Sequence, residues 1–525
     1  MRALTANLRL RDQTADAYPV GRPRRVRAAR VISVVAVVAG IPYLWSRYSG
    51  VSGSGVAAYM FFAAECVAWM QLTLTTVLLG RAVWRSQPPP PPDGPAADVL
   101  VTVCGEPLSM VERTVQAALA IRYPHKTYVV NDGRRAGLAD WAEVDQLARR
   151  LGVECLTRRD GPAGKAGNLN SALRRTSGEF VLTIDADHVA HPDFLDDTLG
   201  WFTDSGVAFV ATPQAFQVDA DDPFNNAERF FYDFLQPAKD RDSAAFSCGN
   251  GSVYRRCALA HIGGFSEWNL VEDLHTSYCL HAAGWRSVYH PRPLTVGSAP
   301  AISAVYLKQR MRWAIDSVRL LVFDSPIRKP GLTLAQRIQY VHTTSFYLFA
   351  AMLNIFLLAP VMMGLFGAEF SRPGESVNGS LVGIYLAGVA GFLWAHAGRG
   401  GLSQILQGHF FAAPVYLLAA ACALLGRHPD SAPTEKRRMR SSSRLVLLPA
   451  VVFAGLVATI VTVLSSGPLT PADLGNLAWA TLFALLLVGP LTTTSPDART
   501  ARVIRRAARA GVLVVLGVSV LAFGG

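Results

Sequence analysis

The chain is poor in charge. Asp, Glu, Lys and Arg make up only 17% of its 525 residues, 51% are hydrophobic, and the mean hydropathy is positive. An ordinary soluble protein of this length is excluded, because the apolar excess has to lie in lipid. Cysteine is sparse and unpatterned. Cys66, Cys104, Cys155, Cys248, Cys257, Cys279 and Cys422 form no CxxC pair and no Cys/His spacing suited to zinc, which implies reduced thiols in a cytosolic domain. A cleavable signal peptide is not expected, since the first apolar run starts late and is followed by another. The net charge of +12 comes from basic residues that abut hydrophobic runs instead of forming a soluble patch. Anionic lipid is therefore the expected partner, and nucleic acid is not.

What the chain does have is long apolar segments. They lie near 28–47, 55–80, 338–367, 380–397, 444–466, 473–492 and 504–524, each long enough to cross a bilayer. Residues 85–330 read as a mixed soluble region. The expected organisation is a tail and two spans over 1–85, a cytosolic domain over 86–330 and a helical bundle over 331–525. Pro88 to Pro92 form a stiff linker into the domain. Arg22, Arg24, Arg25, Arg27 and Arg30 precede the first span, so the N-terminus is expected inside and the domain in the cytoplasm of a plasma (inner) membrane protein. Segment 403–425 is also apolar, but counting it as a span would put Lys436, Arg437, Arg438 and Arg440 outside. Interrupted by Gln404, Gln407, His409 and Pro414, it is expected to be interfacial or re-entrant. That leaves seven spans, with the C-terminus outside and 426–443 a cytosolic loop.

Inside the soluble region, short apolar runs alternate with helical stretches. Strands are expected at Ala97–Val103, Thr127–Asn131, Val153–Thr157 and Glu179–Ile184, with helices at 108–121, 139–151 and 165–176 between them. This is a βαβ sheet, and ligands bind beyond the carboxyl ends of such strands. Glu106, Asp132, Asp185 and Asp187 all fall there. Two carboxylates spaced i, i+2 at a strand end suit a hard divalent cation, Mg or Mn. Lys165 opens a helix whose free amides face an anion.

Four ordered motifs carry a resemblance: Asp185-Ala186-Asp187-His188, Phe246-Ser247-Cys248-Gly249, Glu272-Asp273 and Gln309-Arg310-Met311-Arg312-Trp313. Their order resembles the processive family 2 glycosyltransferases, the group of cellulose, chitin, hyaluronan and curdlan synthases, and the wording is most similar to the bacterial cellulose synthase catalytic subunit. The resemblance implies an α/β nucleotide-diphospho-sugar transferase (GT-A type) domain inserted in an α-helical transmembrane bundle. It implies that Asp132 and Glu106 lie beside the uridine and Lys165 beside nucleotide or phosphate. Asp185 would lie toward the nucleotide, and Asp187 with Asp185 at the metal. Cys248 would sit near the acceptor terminus, and the loop around Thr434 and Lys436 would take the place of a gate. His188 is open between packing and direct participation.

Transfer to a sugar hydroxyl needs a base on one side of the anomeric carbon and charge stabilisation on the other. Asp273 is the expected base, with Glu272 supporting it. Gln309 and Arg312 face the leaving diphosphate, and Trp313 offers a platform for a pyranose ring. The expected function is polymerisation of a β-linked polysaccharide from a UDP-sugar and its passage across the membrane. UDP-glucose is the first choice of donor, ahead of N-acetylglucosamine or mannose donors. The rival class is a non-processive membrane transferase acting on a lipid-linked acceptor. Expected partners are the UDP-sugar, the growing polysaccharide, the bilayer and accessory secretion or modifying subunits.

Overall fold

The computed structural model describes residues 23–512, except positions 53, 87, 89, 91–93, 95, 163, 219–221, 227, 270, 371–378, 398–400, 427–443, 494–504, 507 and 509–510. The loop expected to gate the site, most of the expected last span and much of the proline linker lie outside the described residues.

Ten strands form two sheets: β1 Ala97–Val103, β2 His125–Asn131, β3 Glu154–Thr157, β4 Phe180–Asp185, β5 His188–Ala190, β6 Val207–Ala211, β7 Gln214–Gln217, β8 Ser252–Arg255, β9 Arg286–Tyr289 and β10 Thr295–Ser298. The larger sheet runs β3-β2-β1-β4-β8-β6-β9, and the smaller runs β5-β10-β7. In the larger one β3, β2, β1 and β4 are parallel, while β8 runs antiparallel between β4 and β6.

Every residue of β1 is buried, because helices cover both faces. Val99, Val101 and Val103 pack with Val111 and Val115 of helix Leu108–Leu119. Leu100 points the other way, into a cluster with Ala166, Leu169 and Ala172 of helix Gly164–Leu173. This is the period of two expected of a strand, and burial on both faces explains why the run reads as continuously apolar. Each such Val or Leu contributes about 1.5–3 kcal/mol when fully buried.

On either side of this α/β domain stand long apolar helices. Among the described residues, seven are long and apolar enough to cross a membrane: Arg27–Val51, Val56–Gly80, Leu334–Phe366, Gly379–Ala397, Gly401–Leu424, Arg444–Ser465 and Pro471–Leu491. This set includes the segment expected to be interfacial. Gly401–Leu424 is one unbroken helix through Pro414, and two of its polar residues have carbonyl partners. Gln404 Nε2 donates to the Asp222 carbonyl at 3.0 Å, and His409 Nδ1 lies 2.7 Å from the Ile405 carbonyl. Under it lies helix Ser303–Phe323, whose Tyr306, Leu307, Ile315 and Val318 share a core with Phe411, Val415, Tyr416 and Ala419. That shared core docks the soluble domain onto the bundle.

Candidate active site

Three adjacent parallel strands end together. The pairing of Val103 with Asn131 and of Thr102 with Asp185 aligns the carboxyl ends of β1, β2 and β4. Cys104, Asp132 and Ala186 therefore leave the sheet side by side. Asp132 is buried and accepts from Arg158 Nε at 2.6 Å and Arg135 Nε at 3.2 Å. Glu106 curls back to accept the Cys104 backbone N–H at 2.6 Å. Asp185 is fixed by Thr102 Oγ1 at 3.1 Å, and its own N–H donates to Asn250 Oδ1 at 3.0 Å.

The turn that supplies Asn250 runs from Phe246 into β8. Because β8 is antiparallel to β4, with Ser252 opposite Thr183, the turn arrives at the same sheet edge as the acidic cluster. Gly249 has φ +78°, and a Cβ there would stand 2.9 Å from Asp273 Oδ2 and 3.3 Å from Lys165 Nζ. Glycine is required on both counts. Cys248 next to it is held by Gln214, whose Nε2 donates to its carbonyl at 2.8 Å. Burial, then the negative charges of Asp273 and Glu228, push its thiol well above the usual range. The thiol form is thus favoured at Cys248, which lines the same cavity as the acid pair.

Glu272 and Asp273 open helix Glu272–Ala282, in the first turn behind Val271. Asp273 does not cap the helix, since Val271 takes that position. Instead its Oδ1 accepts the Leu274 N–H at 2.5 Å. Both acids are buried. Burial first, and then the charge of Glu272, hold the Asp273 carboxyl well above the ordinary range, and burial raises Glu272 as well. Lys165 joins this pair to the strand-end cluster. Its Nζ stands 2.5 Å from Asp185 Oδ1 and 3.7 Å from Glu272 Oε1. Burial would lower its pKa, but the carboxylates of Asp185 and Glu272 outweigh that and raise it, so it stays charged.

Asp185, Asp187 and His188 bring one ligand-type atom each to within 4.8 Å of one another. His188 Nδ1 is 3.0 Å from Asp187 Oδ1, while its Nε2 is buried without a hydrogen-bond partner among the described residues. Two carboxylates and an imidazole suit a divalent cation of the Mg or Mn type, so the donor set fits.

Gln309, Arg312 and Trp313 share the cavity-facing side of helix Ser303–Phe323. Arg310, between them, is committed elsewhere. It pairs with Glu228 and lies over the rings of Tyr306 at 4.9 Å and Trp313 at 4.7 Å. One cavity of about 1350 Å³ touches Asp132, Lys165, Asp187, Asp273, Arg312 and Trp313 and continues between the long helices past Tyr347, Phe356, Tyr416 and Trp479. All the expected site residues are thus brought to one space.

The motifs did not name Arg158, Glu228 or Asp316. Arg158 follows β3 directly and was within reach of the strand-end reasoning that found Asp132. Glu228 belongs to no periodic pattern, and its φ of +42° marks a strained turn only the structure reveals.

Residues 95–315 match the family described as glycosyltransferase like family 2, and residues 264–387 match cellulose synthase. The second match starts in the soluble domain, covers the acid pair and the QxxRW helix, and runs on into helix Gly379–Ala397. Over these residues the chain is similar to cellulose synthases. It is 32% identical over 364 residues to the UDP-forming cellulose synthase catalytic subunit of Pseudomonas fluorescens (strain SBW25), covering 65% of this chain and 48% of that one. With cellulose synthase 1 catalytic subunit of Komagataeibacter xylinus it shares 31% over 390 residues, covering 70% and 51%. The chain spans about half the length of these relatives. Among solved structures, the mannosyltransferase PcManGT from Pyrobaculum calidifontis, in complex with GDP-Man and Mn2+, is 21% identical with a TM-score of 0.49, covering 71% of this chain and 100% of that one.

Proposed function

We propose that the chain is a membrane-embedded, processive, inverting glycosyltransferase that extends a β-linked polysaccharide from a UDP-sugar, UDP-glucose in the first instance, and passes the product out through its own helices. One observation carries this reading. The cavity that holds the strand-end acids, the acid pair and the QxxRW side chains is continuous with the space between the long helices.

In the proposed reaction the acceptor hydroxyl oxygen bonds to the anomeric carbon as the bond from that carbon to the diphosphate oxygen breaks, on the opposite face. Asp273 takes the hydroxyl proton. Its raised pKa makes it a stronger base than a solvated carboxylate. Lys165 and Arg312 supply positive charge to the departing UDP. Asp185, Asp187 and His188 would hold Mg or Mn, which when bound neutralises diphosphate charge. Asp132 and Glu106 border the nucleoside end, and Gln309 supports the donor. Trp313 offers one ring face to the acceptor, because Arg310 covers the other.

We place the domain on the cytoplasmic side of the inner membrane and keep Gly401–Leu424 at the interface. Its apolar window is 61% buried, against 22% to 50% for the other six helices, and Gln404 binds the soluble domain directly. Accessory secretion or modifying subunits complete the proposed assembly.

The test is to incubate purified full-length protein in lipid with labelled UDP-glucose, UDP-N-acetylglucosamine and mannose donors, then analyse product linkage. A β-linked polymer from one donor supports the proposal. Single-sugar transfer to a lipid acceptor supports the non-processive alternative.

A further inference from the structure

Helix Ser303–Phe323 carries a buried acid one turn beyond Arg312. Asp316 is 3% exposed. Its Oδ2 accepts the Val271 N–H at 2.7 Å, and its backbone carbonyl accepts from Asn269 Nδ2 at 3.1 Å. Asn269 is in turn gripped by Arg319, whose Nε donates to its Oδ1 at 3.3 Å. Val271 immediately precedes Glu272 and Asp273, at the cap of their helix. A single carboxylate therefore ties the helix bearing Gln309, Arg312 and Trp313 to the start of the helix bearing the acid pair, at the level where both face the cavity.

The second oxygen, Oδ1, is buried with no hydrogen-bond partner among the described residues. A core position built for packing alone does not keep such an atom without compensation. The compensation here is charge. Burial, and to a smaller extent Glu272 from the facing helix, push the Asp316 carboxyl up, the Val271 N–H and the Arg319 and Arg312 guanidinium groups on its own helix pull it down, and the balance stands at about 6. The Arg312 guanidinium is thus among the groups that favour its charged form.

We infer that Asp316 is a positioning residue for the transfer step, fixing Arg312 and Asp273 on opposite sides of the reacting carbon. The inference rests on the transferase reading. Its physical basis is geometric. A misplacement of about 1 Å between reacting groups can cost roughly 10²-fold in rate, and the Asp316–Val271 bond joins the two helices where both border the cavity.

The experiment is steady-state turnover of purified full-length protein in lipid, with kcat expressed per folded molecule, donor KM, and UDP affinity by calorimetry. Asp316→Ala is expected to lower kcat about tenfold or more while donor KM and UDP affinity stay within about twofold. Asp316→Asn, whose amide oxygen still accepts the Val271 N–H, is expected to recover most of that loss. A purely structural role predicts a lower folded yield at wild-type kcat, and that result overturns the inference, as does a rise in KM alone. If Asp316→Ala does not fold, Asn269→Ala decides, because it cuts the parallel tie without burying a charge. Lower kcat at unchanged donor KM supports the inference, and unchanged kcat overturns it. Failure of the underlying reading looks different: wild-type protein then transfers no sugar from any UDP-sugar.

Discussion

Two acidic groups face each other across Lys165, and their surroundings differ. Asp185 and Asp187 leave a strand end with 34% and 14% of their side chains exposed, while Glu272 and Asp273 begin a helix and are buried. The open pair can reach a cation and solvent. The closed pair, short of water and adjacent in sequence, is pushed toward protonation and so toward basicity. In the proposed mechanism environment, more than residue type, separates the metal-holding role from the proton-accepting one.

The largest effect should come from disabling the closed pair. Asp273→Asn removes the proton acceptor without touching the strand-end groups, so turnover should fall about 10²- to 10⁴-fold while UDP affinity stays near wild type. Turnover assays beside calorimetric UDP binding check this, and near-normal turnover would take Asp273 out of the mechanism. Disabling the open pair should do the reverse. With Asp187→Ala, Mn- or Mg-dependent UDP binding should weaken about hundredfold, at the upper end of what loss of a supporting contact typically costs. Full wild-type activity in excess EDTA would contradict the metal assignment.

Trp313→Ala leaves both acidic groups in place and tests the acceptor side. Removing one stacking face, worth about 0.5–1.5 kcal/mol, should cut elongation roughly threefold to tenfold and shorten the product while UDP affinity holds. Polymer of normal length at unchanged yield per folded molecule would leave Trp313 as a membrane-surface anchor.

The smallest effect sharpens the comparison itself. A raised carboxylate pKa means the proton is held to higher pH, so activity should rise with pH through a limb above the ordinary carboxylate range and be lost as pH falls through it. Glu272→Gln removes the neighbouring charge that raises Asp273. The limb should move to lower pH by up to about one unit, read as a property of the coupled pair. An unmoved limb would show that another group sets it.

How much of this was legible beforehand follows from where the contacts lie. The parallel strands were readable because helices bury both faces, leaving continuous apolar runs. Ala97–Val103 was expected with the bounds it has, and the others within about two residues. The order β4-β8-β6-β9 and the second sheet were not readable, since those pairings join distant segments without local signals. In the site, acids at strand ends announced themselves, but their restraints did not. Glu228 meets Arg310 from 82 residues away, and Asp316 meets Val271 from 45. Gly401–Leu424 was judged by its polar residues and by the side of the membrane on which a crossing would put Lys436, Arg437, Arg438 and Arg440. The partner of Gln404, the Asp222 carbonyl, belongs to a domain far off in sequence.

The central claim is processive synthesis by one cavity shared between chemistry and passage. Its most direct test is the product length distribution early in a reaction of the purified protein in lipid with its labelled donor, at a large excess of acceptor ends over enzyme. The account predicts a few long β-linked chains while most acceptor ends are still unextended. A uniform shower of products one or two sugars longer, at every early time point, would contradict it.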